Sequence, residues 1–452
     1  MIAHVRKSRF LWGLCIVFFL AVPVITIAEE GDVAFVGAAR IDITPETPVQ
    51  MYGYSARTTE SAGIAGRLHA SALAIGADTE PGPCVLLAVD NGSVPSSIRD
   101  EVFRRINEKQ TIPSGRFVLC NSHNHSGPNL KGMEAIEGED HEHLEAYAEL
   151  LTARLTSVVL EALAARQPAN LAWAQGTVEF AANRRVLTDG RWTGFGAVPE
   201  GVVDHSLPVL RVTDVDGELI ALAVNYACHN TTLRGNFREI HGDWAGCAQA
   251  ALLEACPDAV PLITIGCGSD SDPCPHSTTE LCEQHGQAVA DEVSRLLDEG
   301  GWVPLTGSLS AQQRFLKLPY SERSEEGTET IVTPLTGGGG PPREDLDFET
   351  CQITPWAFSD DLAMVFFSDE VVVDYSLRLK SEFDADRLWV SAYTNDVSRY
   401  IVSSRLIGEG GYEVRNSLSA QLTFDNPATF SPPMEDRVAD AVHEMLSDEF
   451  ER

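Results

Sequence analysis

The sequence predicts an α/β fold: one large domain with a mixed β-sheet core, flanking helices and an active site at the carboxyl ends of strands. Three observations carry this. Short apolar runs alternate with stretches of helical periodicity along most of the chain. The 452 residues are 44% hydrophobic and 22% charged, which is globular composition, and a core of that size folds without disulfide or metal staples. The His, Asp and Glu residues suited to chemistry follow the apolar runs, where α/β folds gather ligands.

Residues 1–28 are read as lying outside the fold. Arg6, Lys7 and Arg9 precede an apolar run over 10–27, and Thr26-Ile27-Ala28 supplies small residues at the positions a signal peptidase reads. This predicts a cleaved secretory signal and a secreted or periplasmic mature chain, residues 29–452. An uncleaved anchor is the competing reading, weakened by the short run and by Pro23. No later segment has 18 consecutive apolar residues, so no membrane span is expected in the mature chain. With 33 Lys+Arg against 66 Asp+Glu the net charge is -33, and -36 without the leader. That balance argues against nucleic acid or an anionic membrane surface as a partner.

Residues 33–43 form a β-rich opening that ends at Thr44-Pro45. Segments 70–75 and 84–89 are apolar strands separated by Pro81, Gly82 and Pro83. Ser97 is expected to cap a helix whose Ile98, Val102, Phe103 and Ile106 share a face. A buried strand over 117–120 and a long amphipathic helix over 144–163 follow. Strands are predicted at 209–212, 219–226, 260–265, 363–367 and 388–393, and helices at 244–253, 281–297, 371–379 and 438–446. Residues 321–350, rich in Glu, Thr, Gly and Pro, read as a long loop.

Ten Cys include Cys15 in the leader, leaving an odd number. Cys267, Cys274 and Cys282 lie close enough in sequence for one pair to be bridged, but their spacing is not that of a zinc ribbon.

Five segments carry candidate chemistry. His123-Asn124-His125-Ser126-Gly127-Pro128 closes a buried strand, and two His two apart on an extended chain point the same way. His229 ends the strand begun at Leu219; Asp243, in His241-Gly242-Asp243-Trp244, is read as a helix cap. The small-residue loop Gly266-Cys267-Gly268-Ser269-Asp270-Ser271-Asp272-Pro273 follows another strand, and its carboxylates can orient a His, bind a metal or act as a base. It lacks the Lys of a phosphate-binding loop. Glu370 lies between two apolar runs, where a carboxylate needs a partner or a metal. Tyr400 ends the fifth segment, Tyr393-Thr394-Asn395-Asp396-Val397-Ser398-Arg399-Tyr400. Asp140-His141-Glu142-His143 is set aside as a solvated helix start.

In this order the segments resemble the neutral, non-lysosomal ceramidase family. Gly37-Ala38-Ala39-Arg40-Ile41-Asp42-Ile43-Thr44-Pro45 is similar to its first strand, Met51-Tyr52-Gly53-Tyr54 to the next loop, and His123-Asn124-His125-Ser126-Gly127-Pro128 to its His-Thr-His-Ser-Gly-Pro motif. The resemblance runs from about residue 36 to 415. It implies one zinc ion (Zn2+) held by His123, His229, Glu370 and Tyr400, with His125, Arg184 and Asp270 as catalytic residues, His125 standing behind the ligands and facing the substrate carbonyl. It implies metal-assisted hydrolysis of an N-acyl amide. Two departures stand out. Asp272 occupies the place of the family's functional serine, and the immunoglobulin-like C-terminal domain of full ceramidases has no counterpart in the sequence. They leave two alternatives: a zinc esterase or deacetylase acting on a smaller acylated substrate such as a sugar, and a non-catalytic metal-containing binding protein.

Overall fold

Nine strands of one sheet run in the order Val260–Ile265, Leu219–Tyr226, Ser206–Asp214, Gln167–Thr177, Ala34–Asp42, His69–Ile75, Cys84–Val89 and Phe117–Asn121, with Val303–Pro304 paired on Gln167–Thr177. The two outer pairs are parallel and the inner pairs antiparallel, so the sheet is mixed as expected. This is a computed structural model, and it describes residues 33–319, 348–417 and 434–451. They fall in one compact unit, 32–452. The leader 1–28 and most of the loop read at 321–350 lie outside the described residues; 348–350 already belong to the strand Phe348–Phe358.

Why these runs became central strands is visible in their burial. Cys84–Val89 and Phe117–Asn121 are buried at every position, which is why both read as continuous apolar runs without alternation. One face of the sheet, through Val85, Leu87 and Leu119, packs under the helices Ser96–Asn107 and Glu139–Ala164. The opposite face, through Leu86, Val118 and Trp173, meets Trp356, Phe366 and Trp389 of a second sheet. That sheet holds Leu309–Ala311, Phe348–Phe358, Leu362–Phe367 and Leu388–Ser391, with Arg314–Pro319 paired on Phe348–Phe358. Its far face, through Ile353, Val365 and Val390, packs against the helices Val373–Glu382 and Met434–Met445. The layers are helix, sheet, sheet, helix. Helices Asp243–Ala255 and Thr279–Glu299 cover the Leu219–Tyr226 and Val260–Ile265 end.

The two sheets also join edge to edge. Ala392 N–H donates to the Ile265 carbonyl, while Asn121 N–H donates to Tyr393 and Asn395 N–H to Leu119. Residues 392–395 therefore sit between the two outermost strands of the large sheet. This brings the strand ends at 121, 226, 265, 367 and 391 to one place.

Some expectations need correction. Ser97 does not cap its helix: the N-cap is Pro95, with no side-chain capping bond. Asp243 is the first helical residue rather than a cap. Its carboxylate accepts from the backbone of Thr232, Leu233 and Trp244, pinning the loop after His229 to the helix. Cys267, Cys274 and Cys282 all carry free thiols, so no pair among them is bridged. The helix Glu139–Ala164 begins at the acidic-His run that was set aside, and His141 and His143 there bond to Met133 and Glu60.

Candidate metal centre

His123 follows Phe117–Asn121 at once, His229 follows Leu219–Tyr226, and Glu370 begins the short strand Glu370–Val371. All three are buried. Glu370 Oε2 lies 3.3 Å from His123 Nε2 and 3.4 Å from His229 Nε2. The ligand atoms of His123, His125 and His229 all lie within 4.8 Å of one another. His125 Nε2 is 3.1 Å from His123 Nε2. The sequence reading set His125 behind the ligands; the geometry places it level with them, so it joins the candidate donor set.

The proton positions follow from the partners. His123 Nδ1 is 2.9 Å from the Gly92 carbonyl, and His229 Nδ1 is 3.2 Å from the Gly268 carbonyl. A carbonyl only accepts, so both Nδ1 atoms carry the proton and both Nε2 atoms turn a lone pair inward. Between them, His229 Nε2 and Glu370 Oε2 have no hydrogen-bond partner. Three acceptors meeting in a buried space repel one another unless a cation or proton sits among them. Burial alone would raise the Glu370 carboxyl; only positive charge among these groups, on His123 and His229 or on a cation in their place, brings it well below the usual range. Burial, and then Arg184, lowers His229; burial, and then the other two imidazoles, lowers His125. Neutral imidazoles and an ionised carboxylate are the forms a divalent metal binds, so the residues fit such an ion.

The backbone around the cluster is unusual. His123, Asp369, Tyr393 and Asn395 are non-glycine residues with φ between 51° and 69°. Side chains in that region cost energy, and the hydrogen bonds of 392–395 hold them there. Gly53 has φ +95°, and a Cβ on it would fall 2.2 Å from His125 Nδ1, so only glycine lets the Tyr52-Gly53-Tyr54 loop lie against that ring. Tyr52 meets both His123 and His125 edge-on, and Tyr393 lies 4.5 Å from the His123 ring.

The remaining expected residues form a frame beside the cluster. Tyr400 pairs with Glu370 in a two-residue parallel ladder. Its hydroxyl accepts from Arg184 Nη2 at 3.2 Å, and burial, then Glu370, raises its pKa well above normal. Arg184 also donates to Glu413 through Nε and to Asp272 through Nη1. Asp272 takes a second guanidinium, Arg234, at 2.9 Å. Burial opposes its ionisation, but the two arginines hold it ionised. Asp270 faces elsewhere. It accepts from the Val373 N–H at 2.9 Å and from Asn183 Nδ2 at 3.2 Å, tying a helix start to the strand Ala181–Thr188. Sequence reasoning missed Glu413 and Arg234, neither of which follows a recognisable strand end of its own; Tyr393 opened the fifth segment, but without a role beside His123.

The profile of the family described as neutral/alkaline non-lysosomal ceramidase, N-terminal, matches residues 35–288. Among curated proteins no sequence matches. The fold is similar to the crystal structure of neutral ceramidase from Pseudomonas aeruginosa, with a TM-score of 0.70 at 18% identity, over 93% of this chain and 76% of that one. It is also similar to a ceramidase complexed with C2, with a TM-score of 0.69 at 17% identity, over 92% and 76% of the two chains.

Proposed function

Because the chain belongs to the neutral/alkaline non-lysosomal ceramidase family, we propose that it is a zinc-dependent hydrolase of N-acyl amide bonds. The observation that carries this reading is the meeting of His123 Nε2, His229 Nε2 and Glu370 Oε2 in a buried space, with both Nδ1 atoms turned to backbone carbonyls. Those three would hold the ion, with Tyr400 as the weaker fourth ligand and His125 beside them. Bound zinc supplies a Lewis acid and a water whose pKa is lowered to about 7.

The chain's own residues do the rest. The Gly92 and Gly268 carbonyls hold the two imidazoles in one tautomer and one orientation. Arg184 donates to the Tyr400 oxygen and so fixes that hydroxyl on the strand paired with Glu370. Glu413 and Asp272 keep Arg184 in that pose. His125 Nε2, 3.1 Å from His123 Nε2, is placed to donate a proton toward a leaving amine. Asp270 serves by holding the strand that carries Arg184. The basic-then-apolar leader at 1–28 supports export of the mature chain. Among the described residues no helix is long and apolar enough to cross a membrane.

The test is a panel of substrates given to the purified chain with zinc: acetyl esters, short N-acyl amides and ceramide. Amide turnover that a chelator abolishes is expected. Turnover of esters alone would replace this reading with the esterase one. Metal binding without turnover of any acyl compound would leave a binding protein.

A further inference from the structure

Tyr52 stands at the cluster without a part in the chemistry above. Its N–H donates to the Gly127 carbonyl at 2.9 Å, and its own carbonyl accepts from Arg57 Nη1 at 2.9 Å, so its backbone is held from both sides. Gly92, whose carbonyl holds His123 Nδ1, also makes room for the ring: a Cβ there would fall 2.0 Å from Tyr52 Cδ1. The ring meets His123 edge-on at 5.7 Å and His125 at 5.4 Å. Tyr52 is 6% exposed, yet among the described residues its hydroxyl has no hydrogen-bond partner. A tyrosine that only packed against the imidazoles would ordinarily have its hydroxyl paired within the chain. The charged group that acts on it most strongly is Glu370, so the hydroxyl faces the donor cluster.

Amide hydrolysis has a place for such a donor. When water adds to the carbonyl carbon, the C=O pair moves onto oxygen, and a hydrogen bond to that oxygen strengthens as its charge grows. The neighbouring cations are engaged elsewhere. Each nitrogen of Arg184 already donates, to Glu413, Asp272 and Tyr400. Lys131, a second cation near Glu370, donates to the Val397 carbonyl. An ordinary phenol is protonated at neutral pH, and burial, then Glu370, pushes Tyr52 further that way. We infer that Tyr52 is a further catalytic residue: its hydroxyl donates a hydrogen bond to the carbonyl oxygen of the bound amide, most strongly as that oxygen becomes negative. The phenol keeps its proton throughout. This rests on the amide-hydrolase reading.

Tyr52→Phe keeps the ring against both imidazoles and removes only the hydroxyl. With the zinc-loaded full chain and a short N-acyl amide, kcat should fall about a hundredfold with KM within about twofold. Calorimetry supplies a readout free of turnover. A phosphonamidate, whose tetrahedral anion mimics the adduct, should bind Tyr52→Phe about a hundredfold more weakly than the parent at unchanged zinc content. Equal kcat, or equal phosphonamidate affinity, in parent and variant would overturn the inference while leaving amide hydrolysis standing. A variant that takes up less zinc than the parent would make Tyr52 a metal ligand and overturn it too. If the parent cleaves no amide but still binds the phosphonamidate through Tyr52, the donor stands and the hydrolase reading fails.

Discussion

Removing the carboxylate of Glu413 tests the frame that holds Tyr400. Glu413 is fully buried. One oxygen accepts from Arg184 Nε at 3.0 Å, and the other pairs with Arg185 Nη1. Glu413→Ala leaves two buried guanidiniums each one anion short. Each keeps a second partner: Arg184 has Asp272 at 3.2 Å, and Arg185 has Glu409 at 3.1 Å. Stripping a buried charge of its partner costs about 3–5 kcal/mol, and the retained partners place this case at the low end, about 3 kcal/mol. Urea unfolding of parent and variant, compared through midpoints at unchanged slope, measures it. The loss should persist at high salt, because ions do not screen pairs this deep. A loss under about 1 kcal/mol, or one that vanishes with salt, would refute the view that Glu413 organises the two arginines.

Gly53→Ala places a Cβ against the His125 ring in a backbone region that disfavours it; kcat/KM is expected to fall about tenfold or more with the far-UV dichroism retained. Unchanged kcat/KM would remove His125 from the site. Burial pushes the Asp270 carboxyl up to about 6. From about pH 4 to 6 the folded chain therefore keeps a proton that the unfolded chain has released, so stability from this group is lost as pH rises through that window. The loss is about 3 kcal/mol, and Asp270→Asn should lack it. Equal pH slopes for parent and variant in urea unfolding would contradict this.

The parts of the fold that were legible in the sequence are those with a local signal. The runs at 84–89, 117–121 and 260–265 are continuous and apolar because both faces of the strands are buried. The His and Glu residues at strand ends were readable for the same reason. The strand Gln167–Thr177 was missed: its polar and small residues alternate on a half-buried surface. The hairpin after it carried a usable signal. Asp189 and Gly190 have φ of 51° and 74°, the pattern of a tight Asp-Gly hairpin turn. The closure of the large sheet by 392–395 had no such signal, because those bonds join residues more than a hundred positions apart. Glu413 was hidden likewise: nothing near it in sequence shows that two consecutive arginines, more than two hundred residues earlier, meet its carboxylate.

The central claim is that His123, His229 and Glu370 hold a metal ion. Its most direct test is the zinc content of the purified chain, residues 29–452, beside His229→Ala. About one zinc per chain in the parent and none in the folded variant is the expected result. A parent without metal after gentle purification in the presence of zinc, or a variant that keeps its full share, would contradict it.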